Sequence, residues 1–177
     1  MIKHFFNETI IRSYDIRGVY KKTLHDLDAK IIGNLFGLKV SEGSKVCKVC
    51  VGYDGRKSSV SLKENLIIGL QEVGVDVIEV GLCPTPLVYF SCFQTNAKGG
   101  IMVTGSHNPA DHNGFKFVLD NNPFYGEDIR KLSEKAKKYS FKKNLLGRRE
   151  FRDISSDYIN RITRDLQQKR QINIVWD

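Results

Sequence analysis

The sequence predicts an α/β domain built on a mainly parallel sheet, and three observations lead there. Short apolar runs of strand length alternate with longer segments whose apolar residues recur at helical spacing, the order expected when crossover helices join parallel strands. Clusters of glycine, proline and asparagine separate these runs where a chain must turn. At 177 residues, with 41% hydrophobic and 27% charged residues, the chain suffices for one well-buried domain and is short for two of ordinary size.

Ile10 to Gly18 opens as a short strand that turns at Gly18. From Asp26, the N-cap, Leu27, Ile31, Leu35 and Leu38 follow helical spacing, flanked by Ile32 and Phe36, and the helix ends near Ser41, Glu42 and Gly43. Val46 to Gly52 is a buried strand. Tyr53 to Ser59 turns out of it into a helix carrying Leu62, Leu66, Ile67, Leu70 and Val73 on one face, and Asp54 and Arg56 in the turn are expected to pair with each other or their neighbours. Val75 to Val80 alternates as a strand half exposed on one side. Thr85 caps the next helix, with Pro86 in its first turn and Leu87, Val88, Phe90 and Phe93 along it. Ile101 to Val103 is a short buried strand; Phe115, Phe117 and Leu119 alternate as the next, ended by Asn121, Asn122 and Pro123. Gly126 to Tyr139 is a polar amphipathic helix with Ile129, Leu132 and Ala136 inward. Residues 140–152 read as basic and irregular, and a last helix runs from about Ser155 through Tyr158, Ile159, Ile162 and Leu166. Ile172 to Asp177 reads as a strand with no following partner.

Charge and cysteines narrow the function classes. The net charge of +8 is concentrated late: residues 128–170 hold 14 Lys/Arg against 6 Asp/Glu. Pairs such as Lys137-Lys138 and Arg148-Arg149 lack aromatic interleaving and any nucleic-acid fold motif, so they read as a solvated basic surface. Cys47 and Cys50 form a C-x-x-C within a strand, where positions three apart face opposite ways and cannot share a metal, so the thiols read as reduced and mostly buried. No apolar run approaches the roughly 20 residues that span a bilayer, and the first residues lack a signal peptide's apolar core, which makes a cytoplasmic location the expectation.

The chemistry-bearing stretch is Gly99 to Pro109, followed by Asn113-Gly114-Phe115-Lys116. A buried strand breaks into Thr104-Gly105-Ser106-His107-Asn108-Pro109, placing Ser106 on a tight loop at a strand end, where α/β folds commonly hold ligands. The pattern is not Gly-x-Ser-x-Gly, so a serine-hydrolase nucleophile elbow is not met. This wording closely resembles the phosphoserine loop of the α-D-phosphohexomutases. Three further segments resemble that family in the same order: Arg12 to Gly18 (Arg-Ser-Tyr-Asp-Ile-Arg-Gly), Val51 to Arg56 (Val-Gly-Tyr-Asp-Gly-Arg) and Gly81 to Pro86 (Gly-Leu-Cys-Pro-Thr-Pro).

The resemblance implies a three-layer α/β/α sandwich with a mixed, mainly parallel sheet, here the phosphoserine domain over residues 1–150. Residues 151–177 then form a connecting helix and the first strand of a second domain. It implies phosphoryl transfer between the 1- and 6-positions of hexose phosphates through a bisphosphate, in a phosphomannomutase/phosphoglucomutase. Phosphoglucosamine mutase is the alternative enzyme, and a non-catalytic fragment or half of a split enzyme the alternative class. Ser106 would carry the phosphate, Lys116 would transfer protons, and Arg17 would meet phosphate oxygens with its planar fork. His107 is assigned to the catalytic loop, and Tyr14 and Asn108 to substrate binding. The family further implies Mg²⁺, touched in this chain through the phosphate of Ser106 alone, and glucose or mannose 1,6-bisphosphate as primer. The implied partners are a hexose phosphate and the family's domains II–IV.

Overall fold

The computed structural model of the chain describes residues 3–43, 47–138, 146–166 and 173–175. Its centre is a mixed sheet in the order β1-β5-β4-β2-β3-β7. Strands β2 (Lys48–Tyr53), β3 (Asp76–Leu82) and β4 (Gly99–Val103) run parallel and are buried along most of their length, the signature of a sheet covered on both faces. β5 (His112–Leu119) turns back antiparallel to β4, and β1 (Ile16–Val19) pairs antiparallel on its far side.

Helices α1 (Asp26–Ser41), α2 (Lys57–Glu72) and α4 (Glu127–Lys137) contribute to the larger core on one face, with Phe36, Leu66, Ile67 and Ile129 fully buried there. Phe36 packs against Phe117 and Phe124, with ring centroids 5.4 Å apart in both cases. Burying one such ring is worth about 1.5–3 kcal/mol. On the opposite face α3 (Thr85–Thr95) closes a smaller core of Cys50, Ile78, Val88, Met102 and Val118. These are the three expected layers. Cys47 packs on the first core and Cys50 in the second, so the C-x-x-C thiols do face opposite ways.

Several local expectations are corrected. The N-cap of α1 is His25, one residue earlier than expected, because Asp28 accepts the His25 N–H at 2.7 Å. Leu27 and Leu38 lie on the outer side of that helix while Ile31, Ile32, Leu35 and Phe36 face inward. β3 is buried on both sides from Val77 to Gly81, because the charged residue within that run, Glu79, is paired with Lys63 at 2.5 Å and with Arg149. Pro84 rather than Thr85 caps α3, and Phe93 of that helix is exposed. β5 ends at Leu119, just before Asn121-Asn122-Pro123 as expected, but the chain does not leave the sheet there. Asp120 and Asn121, at φ 50° and 59°, make a two-residue hairpin into β6 (Asn122–Phe124), which continues along β5 beyond β1. The basic segment contains β7 (Arg149–Phe151), parallel to β3 and anchored by Arg149 to Glu64 and Glu79. α5 (Ser155–Thr163) touches α3 through Tyr158 against Phe90, yet Ile159 and Ile162 are exposed. The expected terminal strand over 172–177 falls largely outside the described residues, and 173–175 carry no strand pairing. Among the described residues no helix is long and apolar enough to cross a membrane.

Candidate active site

Parallel β2 and β4 end side by side, Tyr53 opposite Val103, and the loops that leave them are joined by Asp54 N–H donating to the Val103 carbonyl at 3.0 Å. At this edge the β4 loop folds over. Thr104 N–H donates to Gly114 of β5 at 2.9 Å, and the Ser106 N–H donates to Thr104 Oγ1 at 2.8 Å. Ser106 sits at φ 53°, in the left-handed region that non-glycine residues occupy at some energetic cost. Its side chain is exposed, and its Oγ lies 3.3 Å from Nδ1 of the exposed His107. Asn108 closes the turn, its backbone N–H and its side-chain amide both reaching the Gly105 carbonyl at 3.1 and 2.9 Å.

Beneath the loop lies a charged pair from the β2 turn. Asp54 Oδ2 accepts the Gly105 N–H at 3.1 Å, and Oδ1 accepts Ser59 Oγ–H at 2.5 Å. Burial opposes the charge on Asp54, but hydrogen bonds from Ser59, Thr104 and the N–H groups of Arg56 and Gly105 outweigh it and hold its pKa below the ordinary carboxylate value. Arg56 pairs with Asp54 at 3.3 Å and runs on under the loop, donating to the carbonyls of Ser106, Asn108, Pro109 and His112 at 2.5–3.0 Å. The expected Asp54–Arg56 pairing is present, and the reach of Arg56 across some fifty residues of sequence is additional.

The second group of charges lies on β1 and β5. Arg17 sits opposite Gly114, and Lys116 opposite Met102, so both side chains stand on the α3 face of the sheet. Both donate to the same oxygen of the buried Asp15, Lys116 at 3.1 Å and Arg17 more closely still. Arg17 Nε is buried without a partner among the described residues. Gly114 allows this assembly, because a Cβ there would fall 2.0 Å from the Ile16 carbonyl oxygen. Tyr14 is 74% exposed and stacks on Tyr125, with centroids 5.9 Å apart.

The expected residues therefore form two groups, Ser106 with His107 and Asn108 on the loop, and Arg17 with Lys116 on Asp15, joined by the Thr104–Gly114 bond. Sequence reasoning left Asp15, Thr104 and Tyr125 without roles. Asp15 stands two residues before Arg17 in the Arg12–Gly18 segment, but nothing in the sequence places Lys116 beside it. Side-chain oxygens near Ser106 are already committed: Thr104 to the Ser106 N–H, Asp54 to Gly105, Ser59 and Arg56. Among the described residues no group of three His, Cys, Asp or Glu side chains could hold a metal, so these residues do not form a divalent-cation site by themselves.

The arrangement offers a solvent-facing hydroxyl at the end of β4, with two cations on β5 and β1 of the same sheet, which suits a transferable anionic group. Residues 8–143 match the family described as Phosphoglucomutase/phosphomannomutase, alpha/beta/alpha domain I. A phosphoglucomutase of Neisseria meningitidis is 37% identical over 169 residues, 95% of this chain. A phosphomannomutase/phosphoglucomutase of Pseudomonas putida is 39% identical over 171 residues, 96% of this chain. The chain spans 36% of the length of each. A crystal structure of a phosphoglucomutase/phosphomannomutase family protein from Burkholderia thailandensis superposes with a TM-score of 0.81 at 39% identity, over 89% of this chain and 36% of that one.

Proposed function

The chain belongs to the phosphoglucomutase/phosphomannomutase family through its domain I, and from that premise we propose that Ser106 is the phosphoryl carrier of a hexose-phosphate mutase. The relatives' named activity resides in chains of which this one spans 36%, so turnover is proposed for this domain together with the remaining length, not for the isolated chain. The observation that carries the proposal is the exposed Ser106 hydroxyl on the bonded loop after β4, with Lys116 on the adjacent β5 and Arg17 one strand further on β1, both held on Asp15.

In the loading step Ser106 Oγ attacks phosphorus of a sugar bisphosphate. The Oγ–P bond forms as the sugar O–P bond breaks, and the hydroxyl proton ends on the departing sugar oxygen. Lys116 Nζ is assigned to that proton's passage. Arg17 is assigned to the phosphoryl oxygens through its planar fork of donors. In the reverse step phospho-Ser106 gives its phosphoryl group to a free hydroxyl of the hexose monophosphate. Asp15 keeps Arg17 and Lys116 on one point and so sets their spacing. His107 neighbours the hydroxyl and is assigned to orienting it. Asn108 is assigned first to the turn's shape, and Tyr14, with Tyr125 behind it, to a wall of the substrate space. When bound, Mg²⁺ would supply charge neutralisation at the phosphate, but the described residues hold no set of ligands for it by themselves and no step here depends on it.

Incubation with glucose 1,6-bisphosphate, followed by intact-mass measurement and peptide mapping, tests the proposal. One added phosphate on Ser106, absent in Ser106→Ala, is the expected result. Phosphate that adds elsewhere, or to neither protein, overturns it.

A further inference from the structure

Arg56 presents a guanidinium whose four terminal N–H donors meet four loop carbonyls, those of Ser106, Asn108, Pro109 and His112, while its Nε lies 3.3 Å from the Asp54 carboxylate. Four carbonyls directed at one cation is an unusual use of an arginine, because nothing in the secondary structure demands it. The negative ends of four loop carbonyl dipoles are thereby gathered on one guanidinium. Gly105 completes the fit, since a Cβ there would lie 2.4 Å from Arg56 Nε and 2.5 Å from Cζ. The guanidinium plane thus lies against a residue that must lack a side chain.

We propose that Arg56 is a positioning residue for phosphate on Ser106, acting through the loop backbone rather than by touching substrate. Two physical effects follow from the geometry. The left-handed conformation of Ser106 is held because the loop around it is tied at four carbonyls, which is the over-determination that a strained backbone requires. The carbonyl oxygens that would otherwise repel a phosphate dianion are neutralised by a partly buried positive charge. Lysine cannot replace it, because an ammonium has three donors and no planar fork.

This inference rests on the phosphoryl-carrier reading, and its test separates the two. Arg56→Ala, Arg56→Lys and Gly105→Ala are compared with the unaltered chain, each first shown to be folded by its urea unfolding transition. Three readouts are taken: hydrogen exchange of the 105–112 amides, the rate of phosphate acceptance from glucose 1,6-bisphosphate, and the ³¹P titration midpoint of the phosphoserine. The expected result is faster exchange confined to the loop, acceptance slowed on the order of 10- to 100-fold, and a titration midpoint moved upward. Sub-denaturing guanidinium should restore part of the rate in Arg56→Ala alone. A merely structural role would alter the unfolding transition and leave the titration midpoint and the guanidinium rescue unmoved, which would overturn the proposal. Wild-type exchange and acceptance in a folded Arg56→Lys would also overturn it. If Arg56→Ala does not fold, Arg56→Lys and Gly105→Ala carry the same comparison. If the unaltered chain takes no phosphate but loop exchange still rises in the variants, the phosphoryl-carrier reading fails while the anchoring of the loop by Arg56 stands.

Discussion

Gly114→Ala is the substitution in which fold and site are most directly coupled. A methyl group at this position would meet the Ile16 carbonyl oxygen at 2.0 Å and Arg17 Cα at 3.0 Å, both backbone atoms that cannot rotate away. Restoring ordinary contact requires β1 to move on the order of 1.5 Å from β5. Overpacking of this kind costs about 1–3 kcal/mol, and each β1–β5 ladder bond lost adds about 1 kcal/mol. Against this stands the lower chain entropy of alanine in the unfolded state, worth about 0.4–1 kcal/mol. The net expectation is destabilisation of about 2–3 kcal/mol, which at a urea slope of about 1–3 kcal/mol/M lowers the midpoint by roughly 1 M or more. Urea unfolding followed by circular dichroism measures it, and hydrogen exchange at residues 16–19 should rise most, since β5 is β1's ladder partner. Because Asp15 and Arg17 flank that contact, phosphate acceptance by Ser106 should fall as well. A midpoint equal to or above that of the unaltered chain would refute the reasoning.

Acid should loosen the β7 clamp. The Arg149 hydrogen bond pushes Glu64 down to about 2 from 4.5. Glu79 is also lowered, its burial outweighed by hydrogen bonds from Lys63 and Arg149. Depressed carboxylates contribute stability that is present above 4.5 and lost as pH falls toward 2. The urea midpoint should therefore fall over that range, and fall less in Glu79→Gln; equal pH dependence in the two proteins would count against the clamp. Asn113→Ala removes the amide that donates to Ser58 and Ser59 at 2.8 and 2.9 Å in a fully buried position, and should destabilise by about 1–3 kcal/mol in the same assay. Burial pushes the Cys83 thiol up to about 11, and hydrogen bonding to Cys50 followed by burial raises Cys92, so both should react slowly with a disulfide reagent in the native chain and rapidly in urea.

The elements legible in the sequence are those whose residues carry their own reason to be buried. Ile31, Ile32, Leu35 and Phe36 in α1, Leu62 to Leu70 in α2 and Ile101 to Val103 in β4 are apolar at the right period, and no partner is needed to read them. β6 and β7 were not legible, because three-residue strands hold too few residues to show alternation. β6 exists because Asp120 and Asn121 accept positive φ, and β7 because Arg149 finds Glu64 and Glu79 on elements more than 65 residues away. The site divides in the same way. The loop around Ser106 was legible from its small and polar residues and its resemblance to a known family, and the opposite facing of Lys116 and Phe115 from strand alternation. Where Arg56 would point was not, since a turn arginine beside an aspartate reads as a local pair and its four carbonyl partners are created by the tertiary fold. Asp15 was hidden because only the antiparallel return of β5 brings Lys116 to it.

That return also governs the order in which the site can come into being. Asp15 and Lys116 are 101 residues apart, and among the described residues β1 has one partner strand, β5. As the chain is synthesised, β1 emerges among the earliest segments yet has nothing to pair with until β5 follows, whereas β2, β3, α2 and α3 can already associate in between. Closing so long a loop before its contacts reward it is slow. The edge that holds Arg17 should therefore be completed after the centre formed by β2, β3 and β4, and a chain ending before residue 112 would carry α1, α2 and α3 while Arg17 still had no strand beside it.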